Sequence, residues 1–327
     1  MGKVECLVTG GCGFIGSHLA LRLAEMGHEV TVLDTDISHT PSHRNITVVM
    51  KDITSERIHL YDAKWVFHLA ALADVIPSIT NPWVYHWNNV HGTVNLLQNC
   101  LAQGVEKLVY ASSTSIYGDI LKVPTTEDAP ANPQYPYALT KYLAEQYVMH
   151  WDQVYHLPAN ALRITCAYGP GMRSRGAYGS VMKVFMAQKA AGAPFTVVGD
   201  GEQSRDFVYI DDVVDAFIKA ASIDVHGMVM NVGSGMPVTI NRLAEIIGED
   251  HGRVILPVRP GEPSQTFAGI LKIREELNWK PRHTFEDGMA VMLDHLDDWK
   301  GETVWTEDNI KTSTADWFRL LGNAESA

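Results

Sequence analysis

Thr9-Gly10-Gly11-Cys12-Gly13-Phe14-Ile15-Gly16 is the stretch whose reading decides the fold. An apolar run, Val4 to Thr9, enters it and has the length of a buried strand. Behind it Ile15, Leu19, Leu23 and Met26 recur at helical spacing until Gly27 stops the pattern. Glu29 to Leu33 is a second strand, closing on Asp34. Strand, glycine turn, helix, strand and acid follow one another as in a βαβ dinucleotide-binding unit. Glycines let the backbone approach a pyrophosphate, and the helix N-terminus offers N–H groups and a positive dipole end. Asp34, about 20 residues on, is placed to accept hydrogen bonds from the adenosine ribose. A carboxylate there repels a 2′-phosphate, and no arginine follows it directly, so NAD is expected in preference to NADP.

The 327 residues suggest about two domains. With 46% hydrophobic and 20% charged residues, the chain has the profile of a soluble globular protein with a large core. Its 26 basic and 38 acidic residues leave a net charge of −12, a field that repels polyanions, so nucleic acid is excluded as a partner. No apolar run reaches the roughly 20 residues that span a bilayer, so no membrane association is expected. Cys6, Cys12, Cys100 and Cys166 lack metal-ligand spacing and suggest neither a metal site nor a disulfide framework. Reduced thiols and a cytoplasmic location follow.

Tyr137-Ala138-Leu139-Thr140-Lys141 holds a phenol and an ammonium one helical turn apart, on one face. Taken alone, that spacing is more often a plain surface helix. Its setting changes the reading, because Ser112-Ser113-Thr114 follows the apolar run Lys107 to Ser112, at the end of a strand that would line a ligand crevice. A cation beside a phenol lowers its pKa from about 10 and makes it a proton acceptor near neutrality. Ser113, Tyr137 and Lys141 are therefore the expected catalytic set.

The glycines fall as Gly10-x-x-Gly13-x-x-Gly16. With Tyr137-x-x-x-Lys141, Asn88-Asn89-Val90-His91-Gly92-Thr93, Leu162-Arg163-Ile164-Thr165-Cys166-Ala167-Tyr168-Gly169-Pro170 and Gly199-Asp200-Gly201 leading to Arg205-Asp206-Phe207-Val208, the chain resembles the extended short-chain dehydrogenase/reductases. Within them it is similar to the NAD-dependent epimerases and dehydratases of nucleotide sugars. The resemblance implies a doubly wound parallel sheet (Rossmann) over residues 1–166 and a smaller, mainly substrate-binding domain over 167–327, with a segment near 207–235 returning to the first. It implies that Asp52 and Ile53 contact the adenine and that Leu69, Ala70 and Ala71 pass close beneath the cofactor. Asn89 is implied as a structural hydrogen-bonder.

On the substrate side the resemblance implies Arg205 and Arg259 on the diphosphate and Glu262 on the nucleoside ribose. Thr266 then sits beside the sugar 2-substituent, small enough to admit a 2-acetamido group. Cys166 replaces an asparagine usual in the family. Gly171 to Gly179 is expected as a loop over the substrate, and Asp212 as a helix cap. The helices near 82–103 and 137–155 are implied as a homodimer face. Dehydratases and decarboxylases place a carboxylate after the catalytic serine, and Ser113-Thr114-Ser115 has none. The implied activity is therefore a nucleotide-sugar 4-epimerase of UDP-hexose or UDP-N-acetylhexosamine type. The alternatives are a 4-keto reductase or dehydrogenase and, ranked below it, a dehydratase or decarboxylase; a non-catalytic NAD-binding scaffold stands against an intact Ser/Tyr/Lys set. Residues 300–327 carry Trp305, Trp317 and Phe318 but no motif, and are expected as a short tail.

Overall fold

The computed structural model describes residues 2–119, 122–172 and 178–322. Most of the loop expected at Gly171 to Gly179 lies outside the described residues.

Six strands, β1 (Glu5–Thr9), β2 (Glu29–Asp34), β3 (Ile46–Met50), β4 (Trp65–His68), β5 (Lys107–Ser113) and β6 (Ala159–Ile164), join a seventh, Met228–Val232. Their order is Met228–Val232, β6, β5, β4, β1, β2, β3, and every pairing is parallel. Side chains alternate between two cores: Cys6 and Val8 face one and Leu7 the other. Helix α1 (Phe14–Glu25) covers the first core with the Ile210–Ser222 helix. The Gly92–Ala102 and Pro136–Tyr155 helices cover the second. Burial on both faces explains why the strands read as apolar runs. Strand order reverses between β1 and β4, so the crevice opens beyond their C-terminal ends.

The remaining elements stand beside this sheet. Phe195–Val198 pairs with Arg253–Leu256, Ser204–Arg205 with Val238–Thr239, and Cys166–Tyr168 with Phe207–Tyr209. Thr239 caps the Ile240–Ile247 helix, and Thr284 with Asp287 forms a capping box on Phe285–Asp294.

Three local readings change. The helix expected from 82 to 103 contains a π-helical turn, Trp87–His91, between Pro82–His86 and Gly92–Ala102. Gly92 then lies so close to Ile53 that a Cβ would meet its side chain at 2.8 Å. Asp212 does not cap its helix. Its carboxylate accepts the backbone N–H groups of Arg282 and His283 at 3.0 and 3.1 Å, pinning that turn across the fold. Residues Glu307–Leu321, expected as part of a short tail without a motif, form a helix with a Thr306/Asn309 capping box. Among the described residues no helix is long and apolar enough to cross a membrane.

Candidate active site

A cleft of about 580 Å³ opens at the sheet's switch point. Gly10 (φ 71°) packs so tightly that a Cβ would meet the Ala70 nitrogen at 2.6 Å, and one on Gly16 would meet the Gly10 carbonyl at 2.2 Å. These two glycines hold the turn against β4 and α1 against the turn. Gly13 starts α1 without a side-chain cap, and no acid stands in the first helical turn. That helix end is left with N–H groups and a dipole suited to an anion. Asp34 is held against the turn, accepting Cys12 N at 2.9 Å and Asp36 N at 3.1 Å. Phe14, Ile15, Asp52, Ile53, Leu69, Ala70 and Ala71 complete the wall, with Ser113, Tyr137 and Lys141 at its inner end. The donors, the close glycine packing and the fixed acid all fit NAD.

A second cleft of about 390 Å³ is lined by Ser113, Tyr135, Arg205, Arg259, Glu262 and Thr266. The residues that line both cavities include Ser113, Thr165, Cys166 and Lys183. A molecule in the second therefore reaches a molecule in the first at Ser113. Arg205 and Asp206 are both buried. Glu262 bridges two arginines, at 2.9 Å to Arg205 and 3.3 Å to Arg259. Thr266 accepts Asp206 N at 3.2 Å. The Asp206 carboxylate receives N–H groups from Ser234, Gly235 and Ala268, tying the segments around the cleft together.

Pro136 opens the Pro136–Tyr155 helix, placing Tyr137 in its first turn and Lys141 one turn on. Lys141 is buried and Tyr137 half-buried, and each is pushed toward its neutral form. Burial raises Tyr137 above its ordinary value of 10, opposed by a hydrogen bond with Ser113 and reinforced by Asp74. Burial lowers Lys141 to about 7, against the pull of Glu145. The lysine does not depress the phenol as its spacing suggested, because desolvation acts on both partners. Lys141 Nζ also sits 4.3 Å from the Tyr110 ring centre.

Behind them runs a buried chain of hydrogen bonds. Ala70 N donates to Thr9 Oγ1 at 3.3 Å, and Thr9 Oγ1 meets His68 Nδ1 at 2.8 Å. His68 Nε2 meets Thr93 Oγ1 at 2.9 Å, and Thr93 donates to Asn89 O at 2.6 Å. Thr93 spends its proton on Asn89, so His68 is the Nε2–H tautomer. Burial, then the Lys141 charge, lowers its pKa to about 3. Asn89 accepts Leu72 N at 2.8 Å and donates to Thr140 Oγ1 at 3.0 Å, bracing the catalytic helix.

Four residues with structural or lining roles had no assigned part: Glu145, Tyr135, Lys183 and Trp317. Glu145 carries a usable signal, one helical turn after Lys141 on the same face. The other three reach the clefts through contacts distant in sequence. No group of His, Cys, Asp or Glu among the described residues could hold a metal ion.

The depressed Lys141 gives a pH prediction. Unfolded, the lysine keeps its proton up to about 10.4; folded, it releases it near 7. Between those values the unfolded chain binds more protons, so this group adds stability as pH rises, by at most about 1.4 kcal/mol per pH unit. Urea unfolding at pH 7 and 9 is expected to show a smaller gain for Lys141→Met than for the parent. Equal gains in both would contradict the assignment.

Residues 6–233 match the family model described as "NAD dependent epimerase/dehydratase family". The UDP-glucose 4-epimerase of Mycolicibacterium smegmatis is 34% identical over 309 residues, covering 89% of this chain and 98% of that protein. The crystal structure of UDP-glucose 4-epimerase with UDP-glucose from Thermotoga maritima superposes with a TM-score of 0.85 at 33% identity, covering 90% and 99% of the two chains. UDP-N-acetylglucosamine 4-epimerase from Methanobrevibacter ruminantium, in complex with UDP-N-acetylmuramic acid, gives 0.85 at 32% identity, over 91% and 99%.

Proposed function

The chain belongs to the NAD-dependent epimerase/dehydratase family, and we propose that it inverts C4 of a UDP-hexose or UDP-N-acetylhexosamine. One observation carries the reading: the cofactor cleft and the substrate cleft meet at Ser113, beside Tyr137 and Lys141. NAD, when bound, supplies the hydride acceptor that makes C4 transiently a ketone and returns the hydride to its opposite face. Tyr137 is the acceptor of the 4-hydroxyl proton, its Ser113 hydrogen bond opposing the burial that favours the neutral phenol, and it returns the proton on reduction. Ser113 hydrogen-bonds the 4-oxygen. Lys141 holds the nicotinamide ribose. Arg205 and Arg259, joined through Glu262, take the diphosphate, where planar guanidinium forks match paired oxygens. Thr266 is small enough to leave room at the sugar 2-position.

The same reading includes a homodimer. Trp83, Val84, Trp87, Leu139 and Tyr147 are exposed on the Pro82–Ala102 segment and the Pro136–Tyr155 helix, an apolar face that a second copy would cover. The four cysteines are free thiols, which supports a reducing compartment such as the cytoplasm.

Purified protein incubated with UDP-glucose, UDP-N-acetylglucosamine and UDP-glucuronate, with and without NAD, tests the activity by proton NMR. Inversion at C4 with no net NADH is expected. Stoichiometric NADH without inversion would establish the dehydrogenase alternative instead.

A further inference from the structure

The Glu307–Leu321 helix lies past residue 233, where the family match ends, yet it forms part of the substrate cleft. Ile310, Thr314 and Trp317 fall at helical spacing and are its buried residues. Trp317 lines the cleft and is 6% exposed. Its indole N–H donates to the Pro260 carbonyl at 2.7 Å, fixing the turn that carries Arg259. Its ring lies 6.0 Å from the Arg259 guanidinium and 6.0 Å from Tyr135. Tyr178 also meets the guanidinium, with its ring centre 4.7 Å away and its hydroxyl as a hydrogen-bond partner. Tyr178 is backed by Trp305 at 5.1 Å, just before the same helix. The helix also packs against the Val75–Thr80 helix, which follows the Asp74 end of the cleft.

We propose that Trp317 is a positioning residue for substrate binding, holding Arg259 in the orientation that grips a nucleoside diphosphate. This rests on the reading of the second cleft as the nucleotide-sugar site. An arginine side chain loses rotamer freedom when it is ordered, and ordering it before the ligand arrives spares that cost on binding. Tyr178 and Trp317 both border the guanidinium, while the indole hydrogen bond fixes the backbone of the adjoining Pro260. Tyr135 lies parallel to Tyr137, 6.5 Å between ring centres, so the same indole also borders the catalytic tyrosine's neighbour.

The test uses the full chain with NAD bound. Trp317→Ala is expected to weaken UDP binding by calorimetry and raise the nucleotide-sugar KM, both about tenfold, the scale of a partly desolvated cation–π contact. kcat should stay within about twofold, and NAD affinity should not move, since that cleft does not include Trp317. Trp317→Phe keeps a ring but loses the Pro260 bond and should fall between. On an Arg259→Lys background, Trp317→Ala should add little, because the indole acts through the guanidinium. Unchanged UDP affinity, full additivity with Arg259→Lys, or parallel loss of UDP and NAD affinity would each overturn the proposal. If Trp317→Ala does not fold, Trp317→Phe with parent-like UDP affinity overturns it as well. A parent protein that binds no UDP would remove the underlying reading of the cleft, a result distinct from a parent that binds UDP normally while the Trp317 variants do too.

Discussion

Tyr137→Phe is expected to retain the fold and bound NAD while turnover falls by about 10²- to 10⁴-fold, the range for losing a positioned general acid–base. The substitution removes one oxygen and keeps the ring. Tyr137 is stacked parallel to Tyr135, and that contact survives in phenylalanine. The hydrogen bond with Ser113 is lost, leaving a serine that still bonds Ser115 at 2.9 Å. The thermal midpoint should therefore move little. What disappears is the only phenol among the described residues lining the cofactor cleft. Because both proton transfers pass through this oxygen, forward and reverse epimerisation should fall together and the equilibrium ratio should not change. NMR turnover in both directions, with NAD content measured on the same sample, makes the comparison. Turnover within fivefold of the parent would remove Tyr137 from the chemistry.

The parts of this site that can be read from sequence are those built from short segments. Gly10, Gly13 and Gly16 stand within one turn, and their spacing already encodes the close approaches seen at Ala70 and at the Gly10 carbonyl. Tyr137 and Lys141 share a helix, so their spacing fixes their common face. Their protonation is less legible, since the direction of each shift is set by tertiary burial, which local spacing does not contain. Asp212 looked like a helix cap because it stands in the first turn. Its partners are 70 residues away. The Glu307–Leu321 helix has a Thr-x-x-Asn start and a sparse apolar face, too weak a pattern to read without the cleft it covers. Trp87–His91 was indistinguishable from ordinary helix, because a π turn changes one hydrogen-bond register and leaves the side-chain pattern almost intact.

Arg163→Met should destabilise the protein by about 3–5 kcal/mol, the cost of leaving a buried carboxylate without its partner. Glu145 is 0% exposed and Arg163 is 6% exposed. The guanidinium grips both carboxylate oxygens, Nε to Oε2 at 2.9 Å and Nη2 to Oε1 at 2.6 Å. Ser112 Oγ donates to Oε2 at 2.6 Å, and Arg163 Nη1 reaches Tyr117 Oη at 2.8 Å. Tyr117 in turn donates to Asn231 at 2.7 Å. The network thus joins the catalytic helix to β5, β6 and the Met228–Val232 strand. Methionine fills much of the arginine's volume but supplies no donor, so Glu145 keeps only Ser112. Glu145→Leu alone strands the arginine in the same way and should cost a similar amount. The double substitution buries neither charge, so it should cost clearly less than the sum of the two singles, a coupling that a double-mutant cycle in urea would measure. Glu145 is also the carboxylate that holds Lys141 charged against burial. The stable double variant should therefore show a further lowered Lys141 pKa and a displaced pH–rate profile. A single variant that loses less than about 1 kcal/mol would mean that water or a neighbouring group already neutralises this carboxylate.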